Sequence, residues 1–198
     1  EIMSSDWSSD VCSSDLHDKV FLEKIIRDIT VNTTELFRDP PIWHLVRYRI
    51  LPKLEEKSKI NILHTGCSSG QEVYSMLILL YEMNLFEKAN VFGTDINTEV
   101  IKMAKTGVYK YRHNLDYINN FNKVIRENPY NYEDYNDVPF TKYFDIDKVK
   151  DTMKIKPFLT RKPVFLKQDL VKDENIFNTK FDIIFCRNVL IYFNSGLQ

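Results

Sequence analysis

Apolar and polar residues alternate over Ile60-Asn61-Ile62-Leu63-His64-Thr65, and the run stops at Gly66, with a second glycine at position 70. From Gln71 the period lengthens, and Val73, Met76, Leu77 and Leu80 fall on one face of a helix. Strand, tight turn and helix start form the local pattern at which an α/β sheet holds a cofactor. Gly66 lets the chain reverse at the strand end, and Gly70 lets backbone approach a ligand where a Cβ would collide. The first N–H groups of the helix are left unpaired and point into the same space. The spacing is GxxxG, not the GxGxxG of dinucleotide binders, and the absence of Gly-Lys-Ser/Thr argues against a phosphate-cradling loop. An ordinary βα turn has the same spacing, so this motif alone leaves the ligand open.

The rest of the pattern extends that unit. Asn90–Thr94 reads as a second strand ending at Asp95, followed by a helix over Thr98–Lys105 that Gly107 caps. Asp95 has two readings: an acid holding a ribose at a strand tip, or an N-cap of the following helix. Phe181–Cys186 is an apolar run typical of a buried parallel strand, and it delivers Arg187 and Asn188 to the carboxyl edge of the sheet.

Upstream, a short helix starts near Asp18. Asn32 or Thr33 caps another that Pro40 and Pro41 end, and Trp43–Leu54 repeats apolar residues at helical spacing. Asn114–Thr141 is irregular, and its Tyr-, Asn- and Pro-rich stretch 128–139 reads as a solvated, acidic loop unsuited to nucleic acid. Met153–Pro157 and Val164–Lys167 read as two strands of a small antiparallel insert, the second continuing to Gln168-Asp169-Leu170.

Composition narrows the class. Lys+Arg 27 against Asp+Glu 28 leaves a net charge of −1, so no global field points to nucleic acid or a membrane surface. The three cysteines (Cys12, Cys67, Cys186) form no CxxC pair, which favours a reducing compartment over a disulfide scaffold or structural zinc. Met76–Tyr81 is far too short to span a bilayer, and no secretory signal opens the chain, so the cytoplasm is expected. Residues 1–17 repeat a Ser-Ser-Asp unit and read as an extraneous or disordered segment. Residues 18–58 then form a remnant helical region and linker. An α/β domain follows over 59–198, with a loop and β insert at about 114–163. A doubly wound sheet normally continues past Gln198, so the chain reads as a fragment.

Four motifs in order carry a resemblance: Asn32-x-Thr34-x-x-x-Arg38, Gly66-Cys-Ser-Ser-Gly70-Gln-Glu72-Val-Tyr-Ser75, Thr94-Asp95-Ile96-Asn97 and Phe185-Cys-Arg187-Asn188-Val-Leu-Ile-Tyr192-Phe193. Over Thr30 to Phe193 the chain resembles the CheR family, S-adenosylmethionine-dependent methyltransferases that esterify glutamates of bacterial chemoreceptors. The resemblance implies a Rossmann-like α/β methyltransferase fold with a small antiparallel β insert, truncated at both ends, with S-adenosyl-L-methionine as cofactor and S-adenosyl-L-homocysteine as product. It implies chemoreceptor cytoplasmic helices as partners, no nucleic acid, no membrane insertion, and a monomer.

Carried over by residue, the resemblance puts Asn32, Thr34 and Arg38 in a polar wall at the cofactor's methionine end. Gly66 and Gly70 admit the backbone to the cofactor, and Glu72 engages its amino-acid moiety. Asp95 accepts from ribose, Asp169 and Leu170 border adenine, and Arg187 and Asn188 line the pocket. Arg38 and Tyr192 are the expected catalytic pair, one orienting the substrate carboxylate and one closing the site. Tyr192 reads equally well as a core tyrosine.

Methyl transfer to a carboxylate needs no general base, because the carboxylate is already ionised near neutral pH. The four histidines (His17, His44, His64, His113) accordingly read as structural or surface residues. Two functions remain open on the sequence: a protein-glutamate O-methyltransferase, or a non-catalytic S-adenosylmethionine-binding module in a signalling protein.

Overall fold

A computed structural model of the chain describes residues 34–112, 116–173 and 176–193. In chain order these form α1 (Pro40–Leu45), which continues as one π turn over Val46–Ile50 and a 3-10 turn over Leu51–Leu54, then β1 (Ile60–Thr65) and α2 (Gln71–Glu82). Next come β2 (Ala89–Asp95), α3 (Thr98–Thr106), β3 (Val108–Lys110) and α4 (Asp116–Phe121), the last extended by a π turn over Asn122–Arg126. They are followed by β4 (Phe144–Asp147), β5 (Thr152–Ile155), α5 (Pro157–Thr160), β6 (Val164–Lys167), β7 (Ile183–Phe185) and a 3-10 turn over Leu190–Tyr192.

Four strands make a parallel sheet in the order β6-β2-β1-β7. β1 pairs with β2 from Ile60↔Ala89 to Thr65↔Thr94, and on its other side with β7 from Ile62↔Ile183 to His64↔Phe185. The chain therefore moves outward from β1 through β2 to β6, then returns to the opposite side of β1. That reversal creates a crevice above the carboxyl ends of β1 and β7. Asp182 fixes the last pairing: its Oδ2 accepts from the Asn61 N–H at 2.8 Å and its Oδ1 faces Lys57 Nζ at 2.5 Å.

The centre of the core is α2, buried continuously from Val73 to Leu80. The one-faced helix expected from sequence is thus covered all round, because it packs against β2 on one side and α5 on another. Tyr74 donates to the Ala104 carbonyl of α3 at 2.6 Å, and Tyr81 meets the rings of Phe86, Tyr143 and Phe158. Leu36, Phe37, Trp43, Val46 and Leu51 belong to the same hydrophobic core. Burying each such side chain contributes about 1.5–3 kcal/mol.

Several local expectations change. The helix expected to end at Pro40 instead begins there: residues 34–39 are not helical, with a turn at Leu36 and Phe37, and Pro40 and Pro41 occupy the first helical positions. At that end of a helix a missing N–H costs nothing and the fixed φ is already helical. Val164–Lys167 is not part of the antiparallel insert, since β6 joins the main sheet parallel to β2. The insert is the sheet β3-β5-β4, whose third member, Val108–Lys110, gives too short a signal to read from sequence. The stretch read as irregular contains α4 with buried Tyr117 and Phe121, and Val138 and Phe140 are buried beyond it. Phe181–Cys186 was expected to be a buried strand, but β7 is an edge strand with Ile184 60% exposed.

Candidate functional site

The glycine turn has the conformation that its sequence requires. Gly66 sits at φ 62 and Gly70 at φ 90, and Ser68 between them is also left-handed at φ 48. At position 70 the structure adds a packing reason for glycine. A Cβ there would lie 2.9 Å from the Ala104 Cβ and 3.3 Å from Phe165, so the residue permits α3 and β6 to pack closely. At Gly66 a Cβ would overlap Cγ2 of Val189, two residues beyond Arg187. The turn and the chain after β7 are thereby held in direct contact.

At the carboxyl end of β1 a charged cluster forms around Glu72, in the first turn of α2. Its Oε1 lies 2.8 Å from His64 Nδ1, and its Oε2 lies 3.2 Å from the Arg187 guanidinium. Arg187 also donates to the Arg38 carbonyl at 3.3 Å and to the Asp39 carboxylate at 2.5 Å. Of the expected site residues, Arg38, Glu72 and Arg187 thus meet, although Arg38 takes part in these bonds through its carbonyl. Asp39 and His64 are members that sequence reading missed. The available signal was position: His64 stands two residues before the glycine on β1, and Asp39 follows Arg38.

The loop that presents the Arg38 carbonyl is strained and anchored. Phe37 and Asp39 both have positive φ, at 51 and 58. Such a conformation in a bulky residue costs about 1–3 kcal/mol and needs support. Support comes from Ser75 of α2, whose Oγ accepts from the Phe37 N–H at 2.7 Å while donating to the Gln71 carbonyl at 2.8 Å. Trp43 Nε1 donates to the same Arg38 carbonyl at 3.0 Å. Thr34 is tied through its own carbonyl, which accepts from Tyr117 at 3.3 Å; Tyr117 in turn accepts from Gln71 Nε2 at 2.9 Å. Burial pushes the Tyr117 phenol up to about 12, so it stays a neutral donor.

Asp95 ends β2 and is 7% exposed. Its two oxygens accept from the Ser68 N–H at 2.8 Å and the Asn97 N–H at 2.9 Å, while Asn97 itself caps α3 through the Glu99 N–H. The N-cap role therefore belongs to Asn97. Asp95 braces the glycine turn and keeps a further lone pair on each oxygen. Burial raises its pKa, and the N–H groups partly offset that rise. Beside it, Gln168 N–H donates to the Asp95 carbonyl at 3.0 Å, and the buried Gln168 Oε1 has no partner among the described residues.

The remaining expected residues are less engaged. Asp169 folds into a local turn, its N–H donating to Asp173 at 2.7 Å and its Oδ1 accepting from Val171 at 3.0 Å. Leu170 is exposed, as is Asn188, which is left-handed at φ 58. Tyr192 lies in the last 3-10 turn. Asn32 lies outside the described residues. Burial pushes the Cys67 thiol well up, which removes it as a nucleophile.

Left-handed turns, a buried acid at the tip of β2 and an acid–arginine pair at the sheet's reversal define a Rossmann-like cofactor-binding domain. Residues 32–198 match the family model for the CheR methyltransferase SAM-binding domain, and the chain belongs to that family. S-adenosylmethionine is the cofactor of this domain. A putative methyltransferase Cher3 of Pseudomonas putida is 31% identical over 183 residues, covering 92% of this chain and 62% of its own length. The chemotaxis protein methyltransferase of Borreliella burgdorferi is 32% identical over 183 residues, 87% of this chain and 58% of its own. Chemotaxis protein methyltransferase 1 of Vibrio cholerae is 31% identical over 176 residues, 86% and 57% respectively. The chain thus spans between 57% and 62% of the length of these relatives. Among the described residues, no helix is long and apolar enough to cross a membrane.

Proposed function

We propose that the protein transfers a methyl group from S-adenosylmethionine to glutamate side chains of chemoreceptor cytoplasmic helices, forming methyl esters. In this reading it acts as a monomer in the cytoplasm. The observation that carries the reading is the meeting of Glu72 and Arg187 at the sheet's reversal, 115 residues apart in sequence. An acid beside a guanidinium is the complement of a zwitterion. Glu72 receives the cofactor's ammonium group, and Arg187 receives its carboxylate, together with Asn32 and Arg38 of the first motif.

The β2–β6 end fits the nucleoside. Asp95 offers acceptor lone pairs to ribose hydroxyls, and the orphaned Gln168 Oε1 is a buried acceptor beside it, suited to a hydroxyl or an exocyclic amine. Asp169 and Leu170 border the adenine in this reading, Thr34 and Asn188 line the pocket, and Gly66 and Gly70 shape its floor.

When bound, the cofactor supplies an electrophilic methyl group on a sulfonium. The protein's part is alignment and exclusion of water. An anion and a cation react to neutral products, so charge disperses on the way, and desolvation lowers the barrier. Arg38 orients the incoming carboxylate, which arrives ionised and needs no base. Tyr192 closes the approach.

The test is calorimetry with S-adenosylmethionine on Glu72→Gln and Asp95→Ala, together with a labelled-methyl assay on receptor cytoplasmic domain. Each variant is expected to bind at least tenfold more weakly, and the native protein to yield base-labile label. Tight binding with no base-labile label would leave a cofactor-binding module; undiminished affinity in both variants would refute the pocket.

A further inference from the structure

His64 is fully buried and is not a proton relay. Its Nε2 has no partner among the described residues, so a proton on that side has nowhere to go. Its Nδ1 lies 2.8 Å from Glu72 Oε1, and a bare lone pair there would face a carboxylate oxygen, so this contact assigns the proton to Nδ1. The imidazole plane is fixed from one face. It stacks on Phe185 at 4.7 Å and 13°, and Phe185 stacks on Trp43 at 5.7 Å and 13°. Trp43 donates to the Arg38 carbonyl, which accepts from Arg187, which pairs with Glu72, which accepts from His64. The contacts form a closed ring around the site floor.

We propose that His64 is a positioning residue for cofactor binding: its Nδ1–H holds the Glu72 carboxylate with Oε2 turned toward Arg187 and the crevice. The proposal rests on the reading that Glu72 receives the cofactor's ammonium group. Glu72 on a free rotor would spread its oxygens over several orientations, and the ligand would have to select one. A hydrogen bond from behind, on a ring locked by two stacked aromatics, removes that freedom before binding. Oε1 accepts from His64 and Oε2 from Arg187, so the carboxylate is held in one orientation with a further lone pair on each oxygen. A hydrogen bond to a charged group contributes enough to alter affinity by about tenfold.

The test compares His64→Phe, which keeps a stacked ring but loses the donor, with His64→Asn, whose amide nitrogen falls near the Nδ1 position. Both are made in the full natural protein, alone and with Glu72→Gln. Calorimetry with S-adenosylmethionine reads affinity, and thermal melting checks the fold. Expected results are an approximately tenfold loss in His64→Phe, recovery to within about threefold in His64→Asn, and no further loss from His64→Phe once Glu72 is Gln. If His64→Phe does not fold, His64→Gln replaces it, because its amide reaches the Nε2 side and should not rescue. Native affinity in His64→Phe, equal losses in Phe and Asn variants, or an undiminished loss in the Glu72→Gln background would each overturn the proposal. Native affinity in Glu72→Gln alone would instead refute the reading of Glu72, and the proposal with it.

Discussion

Replacing Gly66 by alanine tests whether the glycine turn is braced by the chain after β7. Two costs are expected. An L-residue at φ 62 is left-handed, which costs about 1–2 kcal/mol. The new Cβ would also overlap Val189 Cγ2, and accommodating an extra methyl in a filled space costs about 1–3 kcal/mol. The sum, about 2–5 kcal/mol, is a large share of the roughly 5–15 kcal/mol that holds an ordinary domain together. The two parts separate in the double variant Gly66→Ala/Val189→Ala. Removing the valine methyls frees the space and leaves the backbone term, so about 1–3 kcal/mol should return as coupling between the sites. Denaturant unfolding with unchanged slope measures both. Because Val189 lies two residues past Arg187, affinity for S-adenosylmethionine should fall in the single variant and recover in the double. A single variant within about 0.5 kcal/mol of the native protein, or a double variant with no recovery, would refute the reasoning.

Two further perturbations probe the supports of the site. Ser75→Ala removes the acceptor of the buried Phe37 N–H, so stability should drop by about 1–3 kcal/mol. The strained Arg38 loop should then exchange its amide hydrogens faster than in the native protein. Lys57 and the Asn61 N–H hold the Asp182 carboxyl below the usual range. The folded state is therefore favoured by its ionised form, and that contribution is complete above the ordinary pKa of about 3.9 and lost as pH falls through the folded value. The stability advantage over Asp182→Asn should accordingly be present at pH 7 and shrink below about pH 4; an advantage independent of pH would contradict the pairing.

How far the sequence could be read depended on the range of the deciding interaction. The β1–turn–α2 unit, β2 with Asp95, and the capped α3 were legible because alternation, glycine and Asn97 act within a few residues. The direction of β6 was not, because Val164–Lys167 can pair equally well with an insert strand or with β2 until Phe165 packs against Gly70 and Gly93. Pro40 was misread for a related reason: proline ends one helix and starts the next, and the anchoring of Phe37 by Ser75, 38 residues away, decides between them. In the site, Glu72 and Arg187 were found through motif resemblance. His64 and Asp39 were missed because their roles depend on partners 8 and 148 residues away.

The bond from Arg187 to the Arg38 carbonyl spans 149 residues and has a consequence in time. A ribosome delivers Arg38, β1 and Glu72 early, yet Arg187 arrives 115 residues after Glu72. At about 5–20 residues per second, that interval is roughly 6–23 seconds of synthesis. During it the nascent chain carries a glycine turn and an acid with no guanidinium opposite. Cofactor affinity should therefore appear abruptly, once β7 docks on β1, making ligand capture a sign that the sheet has closed around its first strand.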